Sequence, residues 1–351
     1  MPSAHRPAVQ LFVPRLLPAQ SGLADVAPLR SRAALNRLMS RSTKTQAVAE
    51  HFCALLCTTF GVDRQQDWPV APLTLLADGG DPGASFWLRA DPVHVQPTQN
   101  DLLLADSGSV SQQEAAELIH SLNVYFAQEG LGWRAPHPRR WYLTGAASPD
   151  IATTPASHAF GRSVDALLPR GPDALQWHRR FNEAQMLLHE HPVNQRRESR
   201  GEPAINSVWF WGGGMLPAPA YSHGGAVWAD DPLLRGLALS SGLEPKPLPS
   251  NAGAWLTQAS AGDNLILLDA LAPPVHSGDA SEWAVQVDVL ERNWFRPLLE
   301  FLARRAIARL TITTQHSDLA LYYEVLPSDL WKFWRRDAGV PRRAPVDAVH
   351  A

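Results

Sequence analysis

Cysteine is scarce, with only Cys53 and Cys57 in 351 residues. That excludes a disulfide scaffold and gives no reason to place the chain in an oxidising compartment. The two lie one helical turn apart with no further ligand close in sequence, so they read as helix packing rather than half of a metal site. No uninterrupted apolar run is long enough to span a bilayer, and the opening Met-Pro-Ser-Ala-His-Arg-Pro lacks the apolar core of a signal peptide. The expectation is a soluble, cytoplasmic protein with no membrane partner. Neither charge dominates: 31 Lys and Arg stand against 34 Asp and Glu, a formal net charge of -3. So balanced a chain has no general electrostatic case for nucleic acid, and none is expected as a partner.

What is present is an ordinary globular composition, 45% hydrophobic and 19% charged, with many prolines and tryptophans. The prolines fall mostly between apolar segments and predict short, stiff connections. Val9–Val13 reads as a first strand. Helical spacing covers Leu29–Leu38 and Gln46–Thr59. After the turn signal Asp78-Gly-Gly-Asp-Pro-Gly83 the character changes. Strands are expected at Ser85–Val95, Asp101–Ala105 and Arg140–Leu143. Ser111-Gln-Gln-Glu114 opens a helix as a capping box. Asp173–His189, Pro232–Ser240 and Ser281–Arg305 read as helices. Asn264–Asp269 and Leu310–Thr314 read as apolar strands. Apolar strands alternating with helices predict an α/β core, a mainly parallel sheet with helices on both faces. The expected division is a discontinuous core, 1–84 with 148–338, a small inserted α+β domain at 85–147, and a loose tail at 339–351.

Asn206-Ser-Val-Trp-Phe-Trp-Gly-Gly-Gly-Met-Leu-Pro217 is the most distinctive stretch. An aromatic strand runs into Gly212, Gly213 and Gly214, where the backbone can approach something closely, either a ligand or a neighbouring strand. In a parallel sheet, ligands bind at the carboxyl ends of strands. Polar residues there are Asp269, His276-Ser-Gly-Asp279 and Gln315-His316. Imidazole and carboxylate suit zinc or manganese, which makes His276, His316 and Asp279 the candidate metal ligands; the bland alternative is loop-tip polarity with no metal. Upstream, Asn194, Arg196, Arg197 and Arg200 form a cluster in which arginine forks suit a phosphate or carboxylate, unless it is a solvated basic loop.

Leu168-Pro-Arg-Gly171, Met186-Leu-Leu-His-Glu-His-Pro-Val-Asn194, Arg197, Ala204–Gly214, Gly224-Gly-Ala-Val227, Leu234-Arg-Gly-Leu-Ala238 and His276-Ser-Gly-Asp279 follow one another in a known order. They resemble the archaeal-type cofactor-independent phosphoglycerate mutases of the alkaline phosphatase superfamily. More closely, the chain resembles a bacterial branch of phosphoglycerate-mutase-like proteins, or regulatory proteins of the RpfE type. The resemblance covers about two thirds of the chain. It implies an alkaline-phosphatase-like fold, with the inserted domain starting near Trp87-Leu-Arg89. It also implies substrate contacts at Arg89, Asn194, Arg197, Asn206 and Gly212–Gly214.

The same resemblance implies two divalent cations and a Ser or Thr nucleophile. Three carboxylates of that pattern are replaced. The first strand runs into Pro14-Arg15, Ala272 stands four residues before His276, and Gln315 precedes His316. Ser42, Thr43 and Thr45 lie where a nucleophile belongs, but the motif around them is missing. The leading expectation is a non-catalytic relative, with no cofactor, that binds a phosphorylated metabolite or a partner protein. The alternatives are a divergent manganese- or zinc-dependent mutase or phosphatase, and an interaction protein with no small ligand.

Overall fold

The described residues form eleven strands of three to eleven residues. They are β1 (Ala8–Phe12), β2 (Thr43–Val48), β3 (Trp87–Pro97), β4 (Leu102–Asp106), β5 (Gly132–His137), β6 (Arg140–Thr144), β7 (Ser207–Gly214), β8 (Ala226–Trp228), β9 (Asp263–Leu267), β10 (Arg309–His316) and β11 (Leu319–Val325). The computed structural model describes residues 6–17, 33–99, 101–145, 147–218, 225–332 and 334–335. The tail expected at 339–351 lies outside them. The chain forms two compact units, Met1–Thr59 with Tyr221–Ala351, and Phe60–Ala220. The segment 85–147 falls wholly inside the second.

The first unit holds the mainly parallel sheet, in the order β2-β11-β10-β1-β9-β8. β10, β1, β9 and β8 run parallel, while β11 and β2 are antiparallel additions at one edge. Leu11, Ile266, Leu310 and Ile312 are fully buried, as strands covered on both faces require. The helices Ala33–Arg41 and Ala280–Leu290 pack into the same core with Trp228, Trp255, Trp283 and Trp294. The long helix expected over Ser281–Arg305 is present but widens into a π turn at Glu291–Phe295 before resuming at Arg296–Ala303. Pro297 offers no amide to the carbonyl four residues earlier, so the regular ladder cannot continue there. Buried Glu291, in that turn, accepts the amides of Ala34 (2.8 Å) and Leu35 (3.0 Å). Its carboxylate caps the positive end of the helix Ala33–Arg41.

Gln46–Thr59 is not one helix. Thr43–Val48 is the edge strand β2, paired with β11, and the helix is confined to Phe52–Thr59. Thr43, Thr45 and Val48 are β-branched, and pairing with β11 overrides the apolar spacing that suggested a helix.

The second unit is built on an antiparallel sheet, β4-β3-β6-β5, with β7 also on β3. The eleven residues of β3 let it pair with β6 through Trp87–Arg89, with β4 through Val93–Pro97 and with β7 along Trp87–Val93. The aromatic strand that runs into the three glycines is β7. β7 is fully buried and antiparallel to β3, in a different sheet from β8, β9 and β10. An apolar run cannot report which sheet it joins. The predicted capping box is present on the helix Gln112–Phe126, with Ser111 Oγ accepting from Glu114 N and Glu114 accepting from Ser111 N.

Candidate functional site

The predicted residues fall in different units: Arg89, Asn194, Arg197, Asn206 and the three glycines in the second, His276, Asp279 and His316 in the first. The fold uses the first set heavily. Asn194 is buried in the helix Pro192–Ser199. Its Nδ2 donates to the carbonyls of Leu188 (2.7 Å) and Ile205 (2.9 Å), and its Oδ1 accepts from Ile205 N (2.7 Å). Asn206 completes the edge of β3 in the same way, accepting from Val95 N (2.7 Å) and donating to Val95 O (2.9 Å). Arg197, with no exposure, donates to the carbonyls of Pro203 (2.7 Å), Ser109 (2.8 Å) and Ser107 (2.6 Å) and to Glu114 (3.2 Å). The arginine fork serves three carbonyls and a carboxylate of the protein.

The glycines answer the close-approach question in favour of the protein itself. A Cβ on Gly212 (φ +67°) would lie 2.9 Å from Val70 Cβ; one on Gly213 would lie 2.7 Å from Phe86 and 2.8 Å from Leu88; one on Gly214 would lie 2.7 Å from Pro69. The helix Val70–Ala77 and the start of β3 therefore take the space that a ligand was expected to use. Beside them, Gly212 N donates to Thr153 Oγ1 (2.9 Å), and Thr153 in turn bonds buried Asp67. Burial pushes the Asp67 carboxyl up, against the lowering effect of those bonds.

Arg89 is the most elaborate of the group. Its Nε and Nη2 donate to Asp91 Oδ1 at 2.9 and 2.6 Å, and Nη1 reaches Thr74 Oγ1 at 3.2 Å. The Tyr142 and Trp211 rings each lie 5.2 Å from its guanidinium. Trp211 Nε1 holds the other Asp91 oxygen at 2.8 Å. Tyr142 donates to Asp78 (2.6 Å), which also takes a two-pronged contact from Arg140. Burial alone would raise the Asp78 carboxyl, but Arg140 and Tyr142 hold it below the usual range. The alternation of β3 places Arg89 and Asp91 on one face. The sequence hints at the pair only through that spacing.

In the first unit the parallel strands bring Arg15 (after β1), Asp230 (after β8), Asp269 (after β9) and His316 (closing β10) to one edge of the sheet. His316 Nδ1 faces the Leu17 carbonyl at 3.1 Å, and since a carbonyl can only accept, Nδ1 donates there. Gln315 donates to the Ala49 carbonyl (2.8 Å). Burial raises the Asp269 carboxyl, and the Asp230 charge adds to the effect. Asp230 was not singled out in the sequence, although Trp-Ala-Asp after an apolar strand is the signal that finds Asp269. Asp279 caps the helix Ala280–Leu290 by accepting Glu282 N (2.9 Å), so one predicted ligand serves as a helix cap. His276 lies in the helix Ala272–Ser277, and its side chain is outside the described set. Ser42 donates to the Met39 carbonyl (2.7 Å). Arg15 takes a left-handed backbone (φ 63°), and burial lowers its pKa. Among the described residues, no three His, Cys, Asp or Glu side chains are gathered closely enough to hold a metal ion.

No family model matches the chain. It is 28% identical over 232 residues to the 2,3-bisphosphoglycerate-independent phosphoglycerate mutase of Methanothrix thermoacetophila, covering 60% of this chain and 58% of that protein. It is 29% identical over 188 residues to the probable enzyme of the same name from Geobacter sulfurreducens, covering 50% and 46%. The match thus spans about half the length of these relatives. The PH0037 protein of Pyrococcus horikoshii shares the fold with a TM-score of 0.57 and 14% identity, over 92% of this chain and 88% of that one. The chain is therefore an α/β protein similar in sequence to cofactor-independent phosphoglycerate mutases.

Proposed function

We propose that this protein is a non-catalytic relative of the phosphoglycerate mutases, a binding scaffold of the regulatory kind that the RpfE-type resemblance implies. The observation that carries the reading is the donor set at the carboxyl edge of the parallel sheet. Where the resemblance implies carboxylates there stand a guanidinium at Arg15, a methyl at Ala272 and an amide at Gln315 whose donor is engaged by Ala49. A pair of divalent cations needs several anionic ligands to offset its charge, and a guanidinium opposes it. These residues do not fit such a pair. The engagement of Asn194, Arg197 and Asn206 by the fold favours a partner protein over a phosphorylated metabolite, because a metabolite held by them would first have to break buried bonds.

One observation supports the second reading, a divergent manganese- or zinc-dependent mutase or phosphatase. Asp230, Asp269 and His316 share one sheet edge. An assay of purified protein with 3-phosphoglycerate and manganese decides between them. The expected result is no mutase or phosphatase turnover above buffer, with wild type and Asp269→Asn alike. Manganese-dependent turnover that Asp269→Asn or His316→Ala abolishes would overturn the non-catalytic reading.

A further inference from the structure

The edge of a sheet presents a row of unpaired amides and carbonyls, and this chain covers two such edges with its own backbone. On the outer side of β8, Lys246 donates to the Val227 carbonyl (2.8 Å) and accepts from the Ala229 amide (3.0 Å). On the outer side of β4, Leu104 donates to the Arg162 carbonyl (3.1 Å), and Val164 donates to the Leu102 carbonyl (2.8 Å). β2, which ends the six-stranded sheet, has no such cover along Lys44–Val48 among the described residues. Apart from half-buried Lys44, every residue of β2 is exposed, and Val48 is 78% exposed.

One bond fixes the direction of each peptide group on β2. Ala49 N donates to the Asp318 carbonyl (2.7 Å), which continues the register that pairs Val48 with Leu319. In an antiparallel ladder, alternate residues turn their N–H and C=O to the same side. Thr43, Thr45 and Ala47 therefore bond β11, while Lys44, Gln46 and Val48 aim their amides and carbonyls outward. Ser42 shares the outward parity, and Arg335 donates to its carbonyl (2.8 Å), which closes the row at that end. The open row thus lies in a segment with three β-branched residues, one charge and no proline.

We infer that β2 pairs with β2 of a second copy of the chain, antiparallel, about a two-fold axis through Gln46. Outward groups must meet outward groups, so Lys44, Gln46 and Val48 can only be set against one another. With Gln46 opposite Gln46, Lys44 faces Val48 of the second copy and Val48 faces its Lys44. All three outward residues are then used, and each pair exchanges both of its backbone bonds. The charges suit this register. Lys44 lies about 14 Å from its own image, beyond the screening length of about 8 Å. Glu50 of the second copy follows one diagonal step from Lys44, so opposite charges approach on both sides of the axis. The two Gln46 amides, each both donor and acceptor, complement one another. A register with Lys44 against Lys44 is repelled, so the lysine that guards this edge also selects the pairing. The inference is independent of whether the protein turns over a substrate.

The test is sedimentation velocity over a concentration series, with amide hydrogen exchange read at single residues. A species of twice the chain mass, growing with concentration, is expected. In it the amides of Lys44, Gln46 and Val48 should exchange slowly, whereas the free chain protects only Thr45, Ala47 and Ala49 along this stretch. Val48→Lys sets like charges opposite one another on both sides of the axis and should raise the dimer Kd about tenfold. Val48→Glu sets a carboxylate opposite Lys44 and should lower it about fivefold. Gln46→Pro removes an outward N–H and should give a monomer. At dilutions where the wild type is also monomeric, that variant should keep the wild-type melting temperature, because the lost amide does not bond β11. A monomer at every concentration would overturn the proposal. So would a dimer indifferent to Val48→Lys and Gln46→Pro, which would put the contact elsewhere. Slow exchange at Lys44, Gln46 and Val48 in a monomer would overturn it as well, and would assign the edge to another part of the same chain or to a bound peptide.

Discussion

Arg197 is a charged side chain with no solvent exposure, and its donors reach three carbonyls and Glu114. A buried guanidinium is tolerable only when its donors are met, and removing it strands every acceptor it served. Arg197→Met is expected to destabilise the protein by about 3–5 kcal/mol in urea denaturation. Arg196→Ala, which breaks only the exposed pair with Glu117, should cost less than about 1 kcal/mol. Similar small losses for both would contradict the structural role assigned to Arg197 and reopen the case for a ligand contact. The two arginines are neighbours in sequence, yet the helix Pro192–Ser199 turns one inward and the other outward. That difference is invisible in the run Gln195-Arg-Arg-Glu198.

At the scale of elements, β7 shows how glycine can mark packing as well as ligand approach. Gly212 has a positive φ and also faces the Val70 Cβ at the start of the helix Val70–Ala77. Alanine there meets two penalties, the left-handed backbone and a contact that a branched carbon beside the main chain cannot easily yield. Gly79 has a positive φ as well but nothing within 4 Å. Gly212→Ala should therefore cost about 2–4 kcal/mol, against about 1 kcal/mol for Gly79→Ala, by the same denaturation. Equal costs would mean that the helix does not press on β7. The sequence marked this strand and its glycines correctly. It left the neighbour undetermined, because a helix and a ligand demand the same missing side chain.

On the scale of the whole molecule, acid stability follows from the buried carboxylates taken together. Burial works against ionisation of Asp78, Glu114 and Asp329, but their partners hold all three below the usual range: Arg140 and Tyr142 for Asp78, Ser111 with Arg200 and Arg197 for Glu114, Lys332 for Asp329. A depressed carboxyl stabilises the fold above its unfolded pKa of about 4, and that contribution is lost as pH falls through the folded value. Asp67 is raised by burial and works in the opposite sense, so it offsets part of the loss. Melting temperatures measured downward from about pH 6 should fall below about pH 4, and Asp78→Asn should flatten the fall. An unchanged slope in that variant would remove Asp78 from the account.

The sequence by itself determined much of the element pattern, the α/β class with its mainly parallel sheet, and the likeness to phosphoglycerate mutases, because hydrophobic period, capping residues and motif order are local properties of the chain. The resemblance also implies carboxylates where Arg15, Ala272 and Gln315 stand. Only the tertiary structure decided which sheet β7 joins, that Asn194, Arg197 and Asn206 bond the protein's own backbone, that Asp279 caps a helix, and that two tryptophans among thirteen face outward. Each of these depends on what lies across space from a residue, and strand pairing and burial bring together groups whose separation along the chain carries no such record.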